Sequence, residues 1–167
     1  MTSPDNEHPV NPVFCIREAT AADSEAVVDA NVALALESEG KVLDRAIVER
    51  GVGRLLSDPQ RGRYLLAAVV DDQGRESIVG QLMLTREWSD WRDGWWWWIQ
   101  SVFVVPPWRR RGVYRALHEA AVADINADAD VCGLRLYVEP DNDGARATYR
   151  ALGMVESYRV MELLLRR

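Results

Sequence analysis

The first half of the chain carries its apolar side chains mainly at helical spacing. Val13 to Arg17 is a short β-type run. Thr20-Ala-Ala-Asp23 has the form of a capping box, with Asp in place of the commoner Glu. Val27, Asn31, Leu34 and Ala35 follow on one helical face, and Gly40 marks the end of that helix. Ile47, Val48, Val52 and Leu55 define a second helix. Asp58-Pro59 stops it, because Pro drives the preceding residue out of the helical region. The pattern then turns strand-like. Tyr64 to Val70 runs into the turn Asp71-Asp72-Gln73-Gly74, and Ile78 to Thr85 returns from it. Trp95 to Val105 is a third strand, ended by Pro106-Pro107. From Gly112 the period is helical again, with Val113, Leu117, Ala121 and Ile125. Leu134 to Val138 predicts a strand, Asp143 to Leu152 a helix closed by Gly153, and Tyr158 to Leu165 a last strand.

The predicted order is β-α-α-β-β-β-α-β-α-β, a mixed α/β sheet. No repeat, low-complexity tract or linker interrupts it, so residues 13–167 are expected to form one domain. The 167 residues are 48% apolar and 28% charged, ordinary globular proportions that exclude a fibrous or disordered chain. The arm at residues 1–12 is polar and broken by Pro4, Pro9 and Pro12. With no basic start and no apolar run it is not a signal peptide, and the expected location is the cytoplasm. No apolar stretch is long enough to span a membrane, so no membrane partner is expected. Cys15 and Cys132 cannot build a disulfide framework and are expected as buried thiols. The net charge of −6 argues against nucleic acid and favours small cationic partners.

Chemistry concentrates at Trp108-Arg109-Arg110-Arg111-Gly112-Val113-Tyr114, between a strand end and a helix start. A helix N-terminus offers unpaired N–H groups and a positive dipole end. Gly112 permits a tight turn, and three arginines add planar donors suited to phosphate. An anion site for a phosphorylated cofactor is expected there. About thirty residues later comes Asn142-x-x-Ala145-x-x-x-Tyr149-x-x-x-Gly153-Met154. Its Ala145 and Tyr149 share one helical face.

These two motifs, in this order, resemble those of the GNAT superfamily of N-acetyltransferases. Arg109 to Tyr114 is similar to the family's pyrophosphate loop, with Tyr114 where Gly or Ala is usual. The resemblance implies a mostly antiparallel sheet of six or seven strands flanked by about four helices. It implies acetyl-CoA as cosubstrate, with Arg109, Arg110, Arg111, Gly112, Val113 and Tyr114 around the diphosphate. Main-chain groups of Val102, Phe103 and Val104 would pair the pantetheine arm, and Asn142 and Tyr149 would complete the cofactor site. It further implies Tyr149 as the acid that protonates the departing thiolate, a role within reach of a phenol. Val104 is the expected backbone donor to the oxyanion. The reaction implied is direct acetyl transfer to a primary amine of a small molecule or peptide.

A general base is harder to find. The long third strand holds no carboxylate, and Gln100 is its only amide. Glu139 and Glu39 are the first choices, with Glu37, Glu87, Asp90 and Asp93 as further candidates. Trp95-Trp96-Trp97-Trp98 alternates between two faces. One pair is expected in the core. The other would line an acceptor cleft, offering cation–π contact to an amine, or a homodimer interface. His118 falls off the apolar stripe and is expected to face solvent. No metal-ligand spacing occurs, so no metal is implied. Two rival functions stand beside the enzyme: a non-catalytic acyl-CoA-binding or sensing module, and an interaction protein built on the Trp strand.

Overall fold

The computed structural model describes residues 14–163 and 165. The arm expected at residues 1–12, with His8, lies outside them. The chain divides into two compact units, one ending at Leu136 and the other beginning at Tyr137.

In the first unit, β1 (Cys15–Glu18) leads through a short 3-10 turn into α1 (Ser24–Glu39). The capping box forms as expected: the Thr20 N–H donates to Asp23 Oδ2 at 2.7 Å. Arg17 grips the same carboxylate at 2.7 and 2.9 Å and holds its pKa down to about 2. Gly40, at φ 61°, closes α1 in the left-handed conformation that Gly adopts without a Cβ clash. Then come α2 (Arg45–Leu56), β2 (Arg63–Val70), β3 (Glu76–Ser89), β4 (Gly94–Val104), α3 (Val113–Asn126) and β5 (Val131–Leu136). The sheet order is β1-β2-β3-β4-β5. Every pair is antiparallel except β4 with β5.

Strand alternation feeds two cores. Tyr64, Leu66 and Met83 face α1 and α2, where Val27, Val28, Val52 and Leu55 close over them. Leu65, Ala67, Leu82, Leu84, Trp97 and Ile99 face α3, against Val113, Leu117, Ala121 and Ile125. Gly80 permits this second contact, since a Cβ there would sit 2.7 Å from a Val113 methyl.

The second unit holds α4 (Asp143–Ala151). The Asn142 side chain caps it, accepting from the Ala145 N–H at 3.0 Å. Arg146 and Arg150 both bind Glu156, at 2.7 and 3.0 Å.

Three expectations are corrected. The sheet has five strands rather than six or seven, because the segment from Tyr158 forms no ladder among the described residues. A strand exists only where a neighbouring edge takes its backbone hydrogen bonds. Without one, Met161 and Leu163 stay 97% and 87% exposed. Cys15 is exposed, not buried, since it opens β1, the outermost strand of the sheet. His118 is buried, only 6% exposed. It lies about 100° round the helix from Leu117, inside the broad apolar stripe a core-facing helix presents.

Candidate active site

Strand β4 changes character halfway along. It pairs with β5 only from Trp95 opposite Val131 to Ile99 opposite Leu136. Past Ile99, no strand among the described residues takes that edge. On the other side it stays paired with β3, but through a bulge: Gln100 faces Met83 and Phe103 faces Gln81, so Ser101 and Val102 together oppose Leu82. Ser101 has φ +48°. A non-glycine residue held there costs of order 1–3 kcal/mol and persists only where its surroundings fix it.

After the bulge the strand regains register. The Val105 N–H donates to the Val79 carbonyl at 3.0 Å. Antiparallel alternation therefore turns Val104 to the opposite edge, the one β5 has left. The Val104 carbonyl is indeed met on that edge, by Arg109 Nε at 2.9 Å.

The chain then makes a 3-10 turn over Pro106–Trp108 and enters the arginine loop. Arg110 and Gly112 both take left-handed backbone, at φ 59° and 82°. Nothing stands within 4 Å of where a Cβ on Gly112 would be, so the loop is open to close approach. The first helical hydrogen bond of α3 runs from the Ala116 N–H to the Gly112 carbonyl at 3.0 Å. The N–H groups ahead of it have no partner within the helix and are placed to bind an anion.

The three arginines do different things. Arg109 is committed to the protein: it pairs with Glu37 on α1 at 2.6 Å as well as clasping Val104. That contact also holds the Glu37 carboxyl below its ordinary pKa. Arg111 lies over the Trp108 ring at 5.4 Å. Among the described residues no ion pair engages Arg110 or Arg111, and both are exposed. Tyr114 packs towards the α3 core, its ring centroid 6.0 Å from that of His118, so its bulk is turned to the core.

Glu39, at the end of α1, is exposed and paired with Lys41. Glu139, in the second unit, is exposed. Tyr149 is half-buried on α4, and burial raises its hydroxyl above the usual phenol range. The role visible for Asn142 is the helix cap.

The tryptophan half of β4 is filled by the protein itself. Trp97 is buried beneath α3, with Arg63 and Arg86 over its ring at 4.9 and 5.2 Å. On the other face, Arg135 lies 3.9 Å over Trp96 and 5.6 Å over Trp98. Glu87 accepts from Trp98 Nε1 at 2.5 Å and pairs with Arg135 at 3.1 Å. Gly133 makes room for the Trp96 ring, which a Cβ would meet at 2.7 Å. The rings expected to offer cation–π contact to an amine are already covered by guanidinium groups of this chain.

Sequence reasoning missed the polar residues beneath the bulge. Gln81 is fully buried. Its amide donates to Asn31 Oδ1 at 2.8 Å and to the Ser101 carbonyl at 3.3 Å. Asn31 in turn donates to the Tyr64 hydroxyl at 3.0 Å. Asn31 falls on a helical face and reads as a core position, and nothing in a strand pattern marks Gln81 as the amide that turns inward.

The parallel pair of a mixed sheet thus parts beside a strand–loop–helix whose backbone is open to close approach. The chain belongs to the GNAT acetyltransferase family, whose profile matches residues 31–154. A solved structure described as a possible acetyltransferase from Clostridium difficile 630 is 39% identical, with TM-score 0.84, over 93% of this chain and 99% of that one. The fold is shared with AAC(6')-Iy in complex with the bisubstrate analogue CoA-S-monomethyl-acetylneamine, at 19% identity and TM-score 0.69, over 93% of this chain and 99% of that one. It is shared too with that aminoglycoside N-acetyltransferase in complex with CoA, at 18% identity and TM-score 0.70, over 96% and 99%. No curated protein matches the chain. Among the described residues no group of His, Cys, Asp and Glu could hold a metal, and no helix is long and apolar enough to cross a membrane.

Proposed function

We propose that the protein is an N-acetyltransferase that moves the acetyl group of acetyl-CoA onto a primary amine by direct attack. One observation carries this reading: the free edge of β4 at Val104 leads, within a few residues, into the open N-terminus of α3. Backbone donors for a thioester arm and for a diphosphate thus follow one another along the chain.

Bound acetyl-CoA would supply an activated acyl group with a thiolate as leaving group. The Gly112–Arg115 backbone, with the Arg110 and Arg111 side chains, would hold the diphosphate. Edge groups of Val102 would pair an amide of the pantetheine arm as an added strand does. The Val104 N–H would donate to the carbonyl oxygen as negative charge develops there. Tyr149 would give its proton to the leaving sulfur. Burial raises that phenol above its usual range, so it holds its proton at neutral pH. Glu39 and Glu139, both exposed, are the candidates for the base that takes the acceptor's proton.

Neamine is the first acceptor to try, because a structural neighbour is crystallised with an acetylneamine analogue. A polyamine and a peptide with a free N-terminus complete the panel. Thermal unfolding with excess acetyl-CoA tests the cofactor: ligand at about 100 times its Kd adds about 2.7 kcal/mol and raises Tm by several degrees. No shift at millimolar ligand overturns the assignment. Tyr149→Phe should lower kcat about 100-fold with the Kd for acetyl-CoA unchanged. Binding with no thiol release from any amine would favour the sensing module instead.

A further inference from the structure

At Ser101 of β4 the structure brings together polar side chains from three other elements. Gln81 of β3 donates to the Ser101 carbonyl and to Asn31 of α1. Asn31 donates to Tyr64 of β2. Gln81 and Tyr64 are 0% and 3% exposed, and Gln81 Oε1 finds no partner among the described residues.

A buried polar group left unpaired is costly. An apolar set of the same shape would serve stability as well or better. The chain of contacts nevertheless ends on the one residue of β4 with left-handed backbone, and it holds that residue by its carbonyl. Gln81 lies directly opposite Phe103, so it spans the bulge from the intact side of the ladder. The bulge decides which way the next N–H groups point, and Val104 is three residues on.

We propose that Gln81, Asn31 and Tyr64 are positioning residues: they lock the Ser101 bulge in the geometry that aims the Val104 N–H at the acyl carbonyl. This rests on the acetyl-CoA reading given above.

The test reads the carbonyl itself and needs no acceptor. [1-13C]acetyl-CoA is bound to the full chain, and its thioester stretch is followed by isotope-edited infrared spectroscopy beside calorimetric Kd and thermal unfolding. The wild type should shift the band to lower frequency. Gln81→Met and Tyr64→Phe should lose roughly half of that shift or more, since a misaimed donor polarises the carbonyl poorly. Their Kd should stay within about three-fold, because the diphosphate loop is untouched. Adding Ser101→Gly to Gln81→Met should restore part of the shift, since Gly holds φ near +48° without a clamp. Tyr64→Phe removes a single hydroxyl and keeps the test sound if Gln81→Met fails to fold. A full shift in folded variants overturns the proposal and leaves the acetyl-CoA reading standing. Loss of shift, affinity and Tm together, with no recovery from Ser101→Gly, overturns it in favour of a purely structural role. A wild type that neither binds acetyl-CoA nor shifts its carbonyl removes the underlying reading, and the proposal with it.

Discussion

The two halves of β4 are built from one continuous strand and have opposite economies. From Trp95 to Ile99 both edges are paired, all four tryptophans carry guanidinium groups over their rings at 5.6 Å or less, and Trp97 is buried. From Gln100 to Val104 one edge is left by β5, the backbone bulges, and a left-handed serine is tied down by buried amides. The first half spends its side chains on packing. The second leaves part of its main chain unpaired by any strand, and only unpaired main chain can recognise a ligand that brings its own amides. The contrast explains why the most conspicuous residues of the sequence, the four tryptophans, are the less interesting half.

Trp97→Ala tests the packing half most severely. It should cost about 3–5 kcal/mol in urea unfolding, as for other buried aromatics. The folded fraction should bind acetyl-CoA with unchanged Kd. A specific loss of affinity would break the division between the halves.

Replacing Arg110 and Arg111 together by Ala should weaken acetyl-CoA binding about ten-fold, near 1.4 kcal/mol, and reduce the salt dependence of binding. Stability should hardly move, since both side chains are exposed. Unchanged affinity in calorimetry would leave the backbone N–H groups as the whole of the anion site.

Arg109 should behave differently from its neighbours. Glu37→Gln weakens the pair that anchors it, and an exposed pair contributes about 0–1 kcal/mol. Stability should fall by no more than that, with acetyl-CoA affinity within about two-fold of the wild type. A large affinity loss in this variant would move Arg109 from the scaffold to the ligand.

His118 gives the smallest effect. Burial holds its folded pKa below the ordinary value of 6.5, so the unfolded chain binds the extra proton first as pH falls. Stability is therefore complete above about pH 6.5 and declines below it, down to the folded pKa. Tm measured from pH 7.5 to 5 should fall less steeply in His118→Phe than in the wild type. Parallel profiles would mean that His118 does not titrate in this range.

Much of this molecule was legible in one dimension. Thr20 and Asp23 announced a helix start, Gly40 its end, and Gly112 a left-handed turn at the head of α3, because caps and turns are local agreements between a backbone angle and one side chain. The arginine loop and the Tyr149 helix were legible for the same reason. The last strand was not: the alternation after Tyr158 fits a strand, but a ladder needs a partner edge that no local pattern guarantees. His118 was misplaced because the width of a buried stripe is set by what the helix packs on.

The sequence by itself thus determined the elements up to α4, their order and the glycine turn at the head of α3, since each follows from contacts within a few residues. Tertiary structure alone decided which tryptophans carry guanidinium groups, which arginine is committed to Glu37, and that Gln81, Asn31, Tyr64 and Ser101 meet. Those residues lie up to 72 positions apart in the pair Glu37–Arg109 and 50 apart in the pair Asn31–Gln81. Such contacts depend on strand register and on the direction in which each side chain leaves its sheet, and both are fixed only when the whole sheet has formed.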